Sequence, residues 1–171
     1  RELVQRLLSF SRTAEAHERR RVSLAKVVRE AIPVLKVSLA GRQLVLELDD
    51  ALEVSVDVGQ IQQVVLNLVM NAHQALGDAP DPVRLAVRST DDVGVDGEWV
   101  ELAVHDRGRG IAPEVLERIF EPFFTTKGPT QGTGLGLTVV HGIVQAHGGF
   151  VRARSDAEEG TELAVRLPRA S

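Results

Sequence analysis

Between Asp57 and Leu76 the chain reads DVGQIQQVVLNLVMNAHQAL, and two different stripes run along it at once. Ile61, Val64, Val65, Leu68, Val69, Ala72 and Leu76 recur at three- and four-residue spacings, the buried face of an amphipathic helix. Asp57, immediately before the run, is placed to be its N-cap. The other stripe is the unusual one. Gln60, Gln63, Asn67, Asn71 and Gln74 repeat at similar spacings, so neutral amides stand where a solvated helix face carries Lys and Glu. A carboxamide oxygen is a hard neutral donor that suits Mg²⁺ when phosphate oxygens fill part of its shell. Asn67 and Asn71, one turn apart, point the same way. Two Asn on one helix serve equally to cap or bridge neighbouring loops, so the stripe alone leaves both roles open.

A chain of 171 residues has room for one compact domain with a real core plus an appendage. Its 43% hydrophobic and 26% charged content belongs to ordinary soluble globular proteins. A net charge of −4 argues against broad nucleic-acid binding, which wants a basic surface. Cysteine is absent, which excludes disulfides and thiolate metal sites and is compatible with a reducing compartment. No apolar run approaches the ~20 residues of a membrane span, and no signal peptide is present. The chain starts at Arg1, inside a helical pattern, and is expected to be a piece of something longer.

Leu3, Val4, Leu7 and Leu8 form a short helical stripe that ends near Ser11, and the polar residues 11–21 are expected to be helix end and linker. Ser23 caps a second helix with Leu24, Val27, Val28, Ala31, Leu35 and Leu39 on one face; Pro33 should kink it or begin a new turn, and Gly41 stop it. Gln43–Leu48 and Glu53–Val56 alternate as two short strands ahead of the amide helix, which ends at Gly77 and the turn Asp78–Pro82. Val83–Arg88 and Trp99–His105 alternate as strands, flanking a loop at 91–97. A glycine- and proline-rich stretch from Asp106 to Gly136 holds one short helix near Pro113–Ile119. A helix over Leu135–Ala146 and strands at Phe150–Ser155 and Thr161–Leu167 complete the chain. Helices and strands in mixed order, with hairpin-like pairs, predict an α+β fold: a two-layer sandwich whose mixed sheet is covered on one face by helices.

Three further motifs carry chemistry. His105-Asp106-Arg107-Gly108-Arg109-Gly110 follows a strand; its glycines allow a sharp turn and close backbone approach, and Asp106 can accept from an exocyclic amine. A lone D-x-G-x-G is more often a surface turn. In Gln131-Gly132-Thr133-Gly134-Leu135-Gly136-Leu137, alternate glycines open a helix, so unpaired N–H groups and the positive dipole end face whatever binds there. That is a phosphate cradle, or else a glycine hinge. Between them, FEPFFTTK (120–127) puts three phenylalanines into a chain that is only 4% aromatic, which anchors a loop that reads as a lid. Lys127 is its charge for terminal phosphates, with a solvated lysine as the equal alternative. No P-loop, dinucleotide or eukaryotic-type kinase motif is present.

NLVMNA (67–72), DRGRG (106–110), FEPFFTTK (120–127) and GTGLGL (132–137) resemble, in order and separation, the N, G1, F and G2 boxes of sensor histidine kinases. The resemblance covers about Val22 to Pro168. LLSFSR (7–12) resembles the end of a second dimerisation helix, and TTK with NAHQAL is similar to the nitrogen-regulatory branch. It implies the Bergerat ATP-binding fold with a mainly antiparallel sheet, residues 1–17 as dimerisation-helix remnant and linker, and 18–171 as the catalytic ATP-binding domain. It also implies ATP and Mg²⁺ as cofactors. Asn71 would then be the Mg²⁺ ligand with Asn67 on the phosphate side, and Asp106 would take the adenine amino group in a pocket shaped by Gly108 and Gly110. Gly132, Thr133, Gly134, Leu135 and Gly136 would close over the phosphates with Lys127, and Thr161 would support an adenine-bound water.

Hydrolytic relatives carry a water-activating Glu four residues before the metal-binding Asn; here Asn67 stands there, and a carboxamide is no general base. The expected activity is therefore phosphotransfer to a histidine of the parent's own dimerisation domain, and from there to an aspartate on a response regulator. A homodimeric full-length protein with this domain in the cytoplasm is implied, the parent being either soluble or membrane-anchored. None of His17, His73, His105, His141 or His147 stands in the context of a phosphoacceptor. The alternatives are a hydrolytic ATPase of the same superfamily and a non-catalytic nucleotide-binding regulatory module.

Overall fold

The computed structural model describes residues 18–91, 96–124 and 135–171. In chain order the elements are β1 (Arg20–Ser23), α1 (Leu24–Ser38), β2 (Leu44–Leu48), β3 (Glu53–Val56), α2 (Val58–Leu76), β4 (Val83–Thr90), β5 (Trp99–Asp106), α3 (Pro113–Leu116), α4 (Gly136–Ala146), β6 (Phe150–Asp156) and β7 (Gly160–Pro168). The first helical stripe, Leu3 to Leu8, lies outside the described residues.

The long stripes form as the spacing requires. Asp57 caps α2, its side chain accepting from the Gln60 N–H at 2.9 Å, and the seven apolar residues of the stripe are all buried. Ser23 caps α1 by accepting from the Lys26 N–H, and Leu24, Val27, Val28, Ala31, Leu35 and Leu39 face the core. Pro33 stays inside α1, and Ala40 and Gly41, both at positive φ, turn the chain out of it.

Five strands lie in the order β2-β4-β5-β7-β6, with β1 and β3 forming a separate two-stranded ribbon. All pairs in the larger sheet are antiparallel except β2 with β4. One expectation changes here. Residues 20–21 belong to strand β1 rather than to a linker, held to β3 by ladder bonds and by the Arg21–Glu53 ion pair. Consecutive β2 and β3 do not pair with each other. β2 runs parallel to β4, a connection that needs a long crossover, and β3 with α2 supplies it.

Alternation then sorts the larger sheet into two faces. Val83, Leu85 and Val87, Val100, Leu102 and Val104, and Leu163, Val165 and Leu167 are buried under the helices. The other face carries Arg88, Glu101 and Arg166 side by side, with Trp99 packed edge-on against Phe150 at 5.1 Å.

Both ends of α2 are tied down. At its start, the His147 ring accepts the Asp57 N–H through Nε2 at 3.1 Å while Nδ1–H donates to the Ile143 carbonyl at 2.7 Å, joining the end of α4 to the cap of α2. At its exit, the Arg42 guanidinium donates to His73 Nδ1 and to the carbonyls of Gly77, Ala79 and Asp81, all within 2.7 Å. Both histidines are thereby used as neutral acceptors. Burial lowers the pKa of each, reinforced by the Arg42 charge at His73 and by Arg19 at His147, where the Ile143 bond and Asp57 pull the other way.

A lowered folded pKa means that the unfolded chain takes up the proton first as pH falls. The stabilisation is complete above about pH 6.5 and is lost as pH drops through the folded value. The urea midpoint should therefore fall between pH 7 and pH 5. His147→Gln should flatten that slope, with His73 supplying the remainder, and identical slopes would remove His147 from this account. His147→Ala should also cost about 1–3 kcal/mol at pH 7, because the buried Asp57 N–H loses its acceptor.

Candidate functional site

One line of residues on α2 meets two loops. Asn67 donates from Nδ2 to the carbonyl of Gly136, the first residue of α4, at 3.3 Å. Two turns further on, the Ala75 carbonyl lies against Gly108, where an added Cβ would come within 2.8 Å of it. Asn71 lies midway between them and is half-buried. With a rise of 1.5 Å per residue, Asn67 and Ala75 are about 12 Å apart along the helix. The amide stripe thus runs from the start of α4 to the loop after β5.

That loop is built on Asp106, the last residue of β5, which is buried and whose Oδ1 accepts from the Gly108 N–H at 2.8 Å. Burial raises its pKa; the Gly108 bond and the His105 charge oppose the shift without cancelling it. A buried carboxylate held this way favours a partner that donates to it. Gly110, at φ +74°, presses on the Asp156 carbonyl, and Gly160, at φ +86°, lies so close to the Asp106 carbonyl that any side chain would overlap it.

Across the strands, Asp106 pairs with Thr161 and Thr161 with Ser155. The Ser155 hydroxyl bonds to Thr161 Oγ1 at 2.7 Å and accepts from the Ile111 N–H at 2.7 Å. Asp106, Thr161 and Ser155 therefore form one polar row at the end of an otherwise apolar face. Thr161 is buried beside Asp106 in this row. Sequence reasoning misses Ser155, Gly160 and Ala75, since a lone serine or glycine at a strand carries no local signal of the partner the fold brings to it.

At the other end of this line, α4 begins at Gly136 with Leu135 at the cap position and no side-chain cap, so the first-turn N–H groups keep their dipole-end character. Thr138 donates to the Phe120 carbonyl at 3.0 Å and the Phe120 ring packs on His141, fastening the phenylalanine segment to α4. Phe123, at φ +63°, is exposed. Lys127, Gly132, Thr133 and Gly134 lie outside the described residues.

Among the described residues, no three His, Cys, Asp or Glu side chains gather as a metal cluster. The donor set still fits Mg²⁺, which takes one or two protein oxygens and completes its shell with phosphate and water. Asn71 offers such an oxygen.

A family model for histidine kinase-, DNA gyrase B- and HSP90-like ATPases matches residues 56–171. The sensor kinase CckA of Brucella abortus is 36% identical over 98% of the chain, which spans only 19% of that protein. Among solved structures, the catalytic domain of the histidine kinase ThkA superposes with TM-score 0.70 at 31% identity, covering 89% of this chain and 96% of that one. Full-length ShkA in complex with AMPPNP superposes with TM-score 0.75 at 26% identity, covering 99% of this chain and 36% of that one.

Ser155→Ala removes the acceptor of the Ile111 N–H. Amide exchange at Ile111 should speed up by about tenfold or more, in line with about 1–3 kcal/mol for an unpaired buried donor, while Ser155→Thr should preserve protection. Unchanged exchange in the alanine variant would show that the loop is held by other contacts.

Proposed function

Because the chain belongs to the histidine kinase-, DNA gyrase B- and HSP90-like ATPase family, in its sensor histidine kinase branch, we propose that it binds ATP–Mg²⁺ and donates the γ-phosphoryl group to a histidine. The acceptor belongs to a dimerisation domain of the longer parent, and an aspartate of a response-regulator receiver domain takes the group next. Residues 18–171 form the catalytic domain in this reading, and 1–17 the end of a dimerisation helix and its linker. In this reading the parent is a homodimer, soluble or membrane-anchored, with this domain in the cytoplasm. No described helix is long and apolar enough to cross a membrane.

The observation that carries the reading is the line Asn67–Asn71–Ala75, which connects the start of α4 to the buried Asp106 loop. Asp106 accepts the adenine amino group, Gly108 and Gly110 keep the pocket open to the base, and Thr161 with Ser155 supports an ordered water beside it. In this reading Gly132, Thr133, Gly134, Leu135 and Gly136 would supply backbone N–H groups to the phosphates, and Lys127 a positive charge. Asn71 is the side chain that would hold Mg²⁺. When bound, that ion neutralises phosphate charge. Catalysis is then mostly positioning: a histidine nitrogen attacks the γ-phosphorus in line as the bond to the ADP oxygen breaks.

Asn67 separates this chemistry from hydrolysis. Its amide N–H is committed to the Gly136 carbonyl, a bond that a carboxylate could not make, and it has no basic group to activate water. ShkA, which superposes on this chain, was solved in complex with AMPPNP.

Asp106 allows recognition to be separated from folding. Its raised pKa means that the folded state holds the proton more tightly, so the ionised side chain opposes folding above its folded pKa. Asp106→Asn should fold at least as stably at pH 7, yet bind ATP about tenfold or more weaker in calorimetry and lose preference for ATP over GTP, since a charge-assisted hydrogen bond becomes a neutral one. Wild-type affinity in this variant would sink the adenine assignment. Asn71→Ala should abolish the Mg²⁺-dependent part of ATP binding while leaving the far-ultraviolet spectrum unchanged; Mg²⁺-enhanced binding that survives would take Asn71 out of the metal role.

A further inference from the structure

The face of the sheet turned away from the helices is more than a solvated back. Strand register lays its side chains in rows. Arg88, Glu101, Arg166 and Phe150 are neighbours across β4, β5, β7 and β6; next come Ala86, Ala103, Ala164 and Arg152; then Arg84, His105, Glu162 and Arg154. A shallow depression over Ala164 is walled by Arg88, Arg152, Arg154, Arg166 and Glu162. Four guanidinium groups meet one carboxylate there, with Glu101 beneath them, in a chain whose net charge is −4.

Several of these arginines are held in place. Glu101 is only 2% exposed and grips both flanking arginines, through Oε1 to Arg88 Nη2 at 2.6 Å and through Oε2 to Arg166 Nε at 2.7 Å. Burial works against its ionised form, but the hydrogen bonds from Arg166 and Arg88 outweigh it and lower the Glu101 pKa. Arg152 and Arg166 also lie over the Phe150 ring, at 5.6 and 5.8 Å. Side chains held this way lose little conformational entropy when an anion arrives, and the guanidinium fork matches a carboxylate. The alanines between the charged rows keep the floor low enough for an extended backbone.

We propose that this outer sheet face is a docking surface for an acidic polypeptide segment, laid over the alanine floor so that its carboxylates meet Arg88, Arg152, Arg154 and Arg166. Charge complementarity favours this occupant over the rival macromolecules. A nucleic acid needs a broad basic footprint, which a chain of charge −4 does not offer. A membrane needs exposed apolar anchors beside the basic groups. The exposed large apolar residues among those described are Val34, Val37, Leu46 and Phe123, on α1, on the helix-facing register of β2 and in the phenylalanine segment. The face is distinct from the nucleotide site, which lies on the helix-covered side.

The test uses the isotope-labelled chain and an uncharged-end peptide of about ten residues alternating Glu and Ala. The expected result is saturable amide shifts at Arg88, Arg152, Arg154 and Ala164 that weaken as salt rises. Arg152→Glu with Arg154→Glu should reduce affinity by about tenfold or more without altering the core spectrum; if that pair fails to fold, Arg154→Glu alone, on an exposed side chain, should still weaken binding. No saturable shift, equal binding of a Lys–Ala peptide, or full affinity in the charge-reversed variant overturns the proposal. Inorganic phosphate saturating the same amides as tightly as the peptide would replace it with a free-anion site. Tighter binding of a short oligonucleotide than of the peptide would replace it with nucleic-acid recognition.

Discussion

The rotation of helix α2 about its own axis is the quantity on which the site depends. Seven apolar side chains fix it, the six larger than Ala72 each stabilising the buried position by about 1.5–3 kcal/mol, whereas a hydrogen bond such as that from Asn67 to Gly136 contributes about 0.5–1.5 kcal/mol net. The core decides and the amides follow. Because hydrophobic and amide residues alternate on one helical period, sinking Ile61, Val65, Leu68 and Ala72 into the core brings Asn67, Asn71 and Ala75 into line along its border. No separate device is needed to align them.

Axial position is a second matter, and the core settles it less firmly, since one stripe can slide along another. His147 and Arg42 act here, one at each end. His147 couples the cap of α2 to the end of α4, the helix whose beginning Asn67 touches, so two of the three sides of the site share a fastening. Arg42 gathers three carbonyls and a ring nitrogen at the exit, holding the chain just beyond the Ala75–Gly108 contact.

Local signals made α1, α2, α4 and most strands legible in the sequence, because each carries its period and its cap within a few residues of itself. Pairing was less legible. Arg20–Ser23 is too short and too charged to announce a strand, and its partner β3 lies thirty-odd residues away. The parallel match of β2 to β4 depends on a crossover that no turn chemistry near β2 encodes. At the site, residues of telling chemistry could be named: Asn67 reaches the start of α4, Asp106 anchors the loop that meets Ala75, and Thr161 pairs with Asp106 across the strands. Those that hold these groups in place could not. Ser155 and Arg42 look ordinary in sequence, and their roles come from backbone groups brought to them by the fold. The glycines divide in the same way. Gly108 and Gly110 sit in a recognisable loop, whereas Gly160 is required only because the Asp106 carbonyl occupies the space a side chain would take.

Trp99 begins β5 and Asp106 ends it, so the two lie about 24 Å apart along the strand, and the indole rests against Phe150 on the arginine side of the sheet. The chain has one tryptophan and no tyrosine. Its ultraviolet-excited emission therefore comes from a single indole at the far end of β5. That light reports whether the strands remain joined and what settles beside Phe150, while filling of the cleft beside α2 passes unseen unless the incoming molecule brings its own fluorophore.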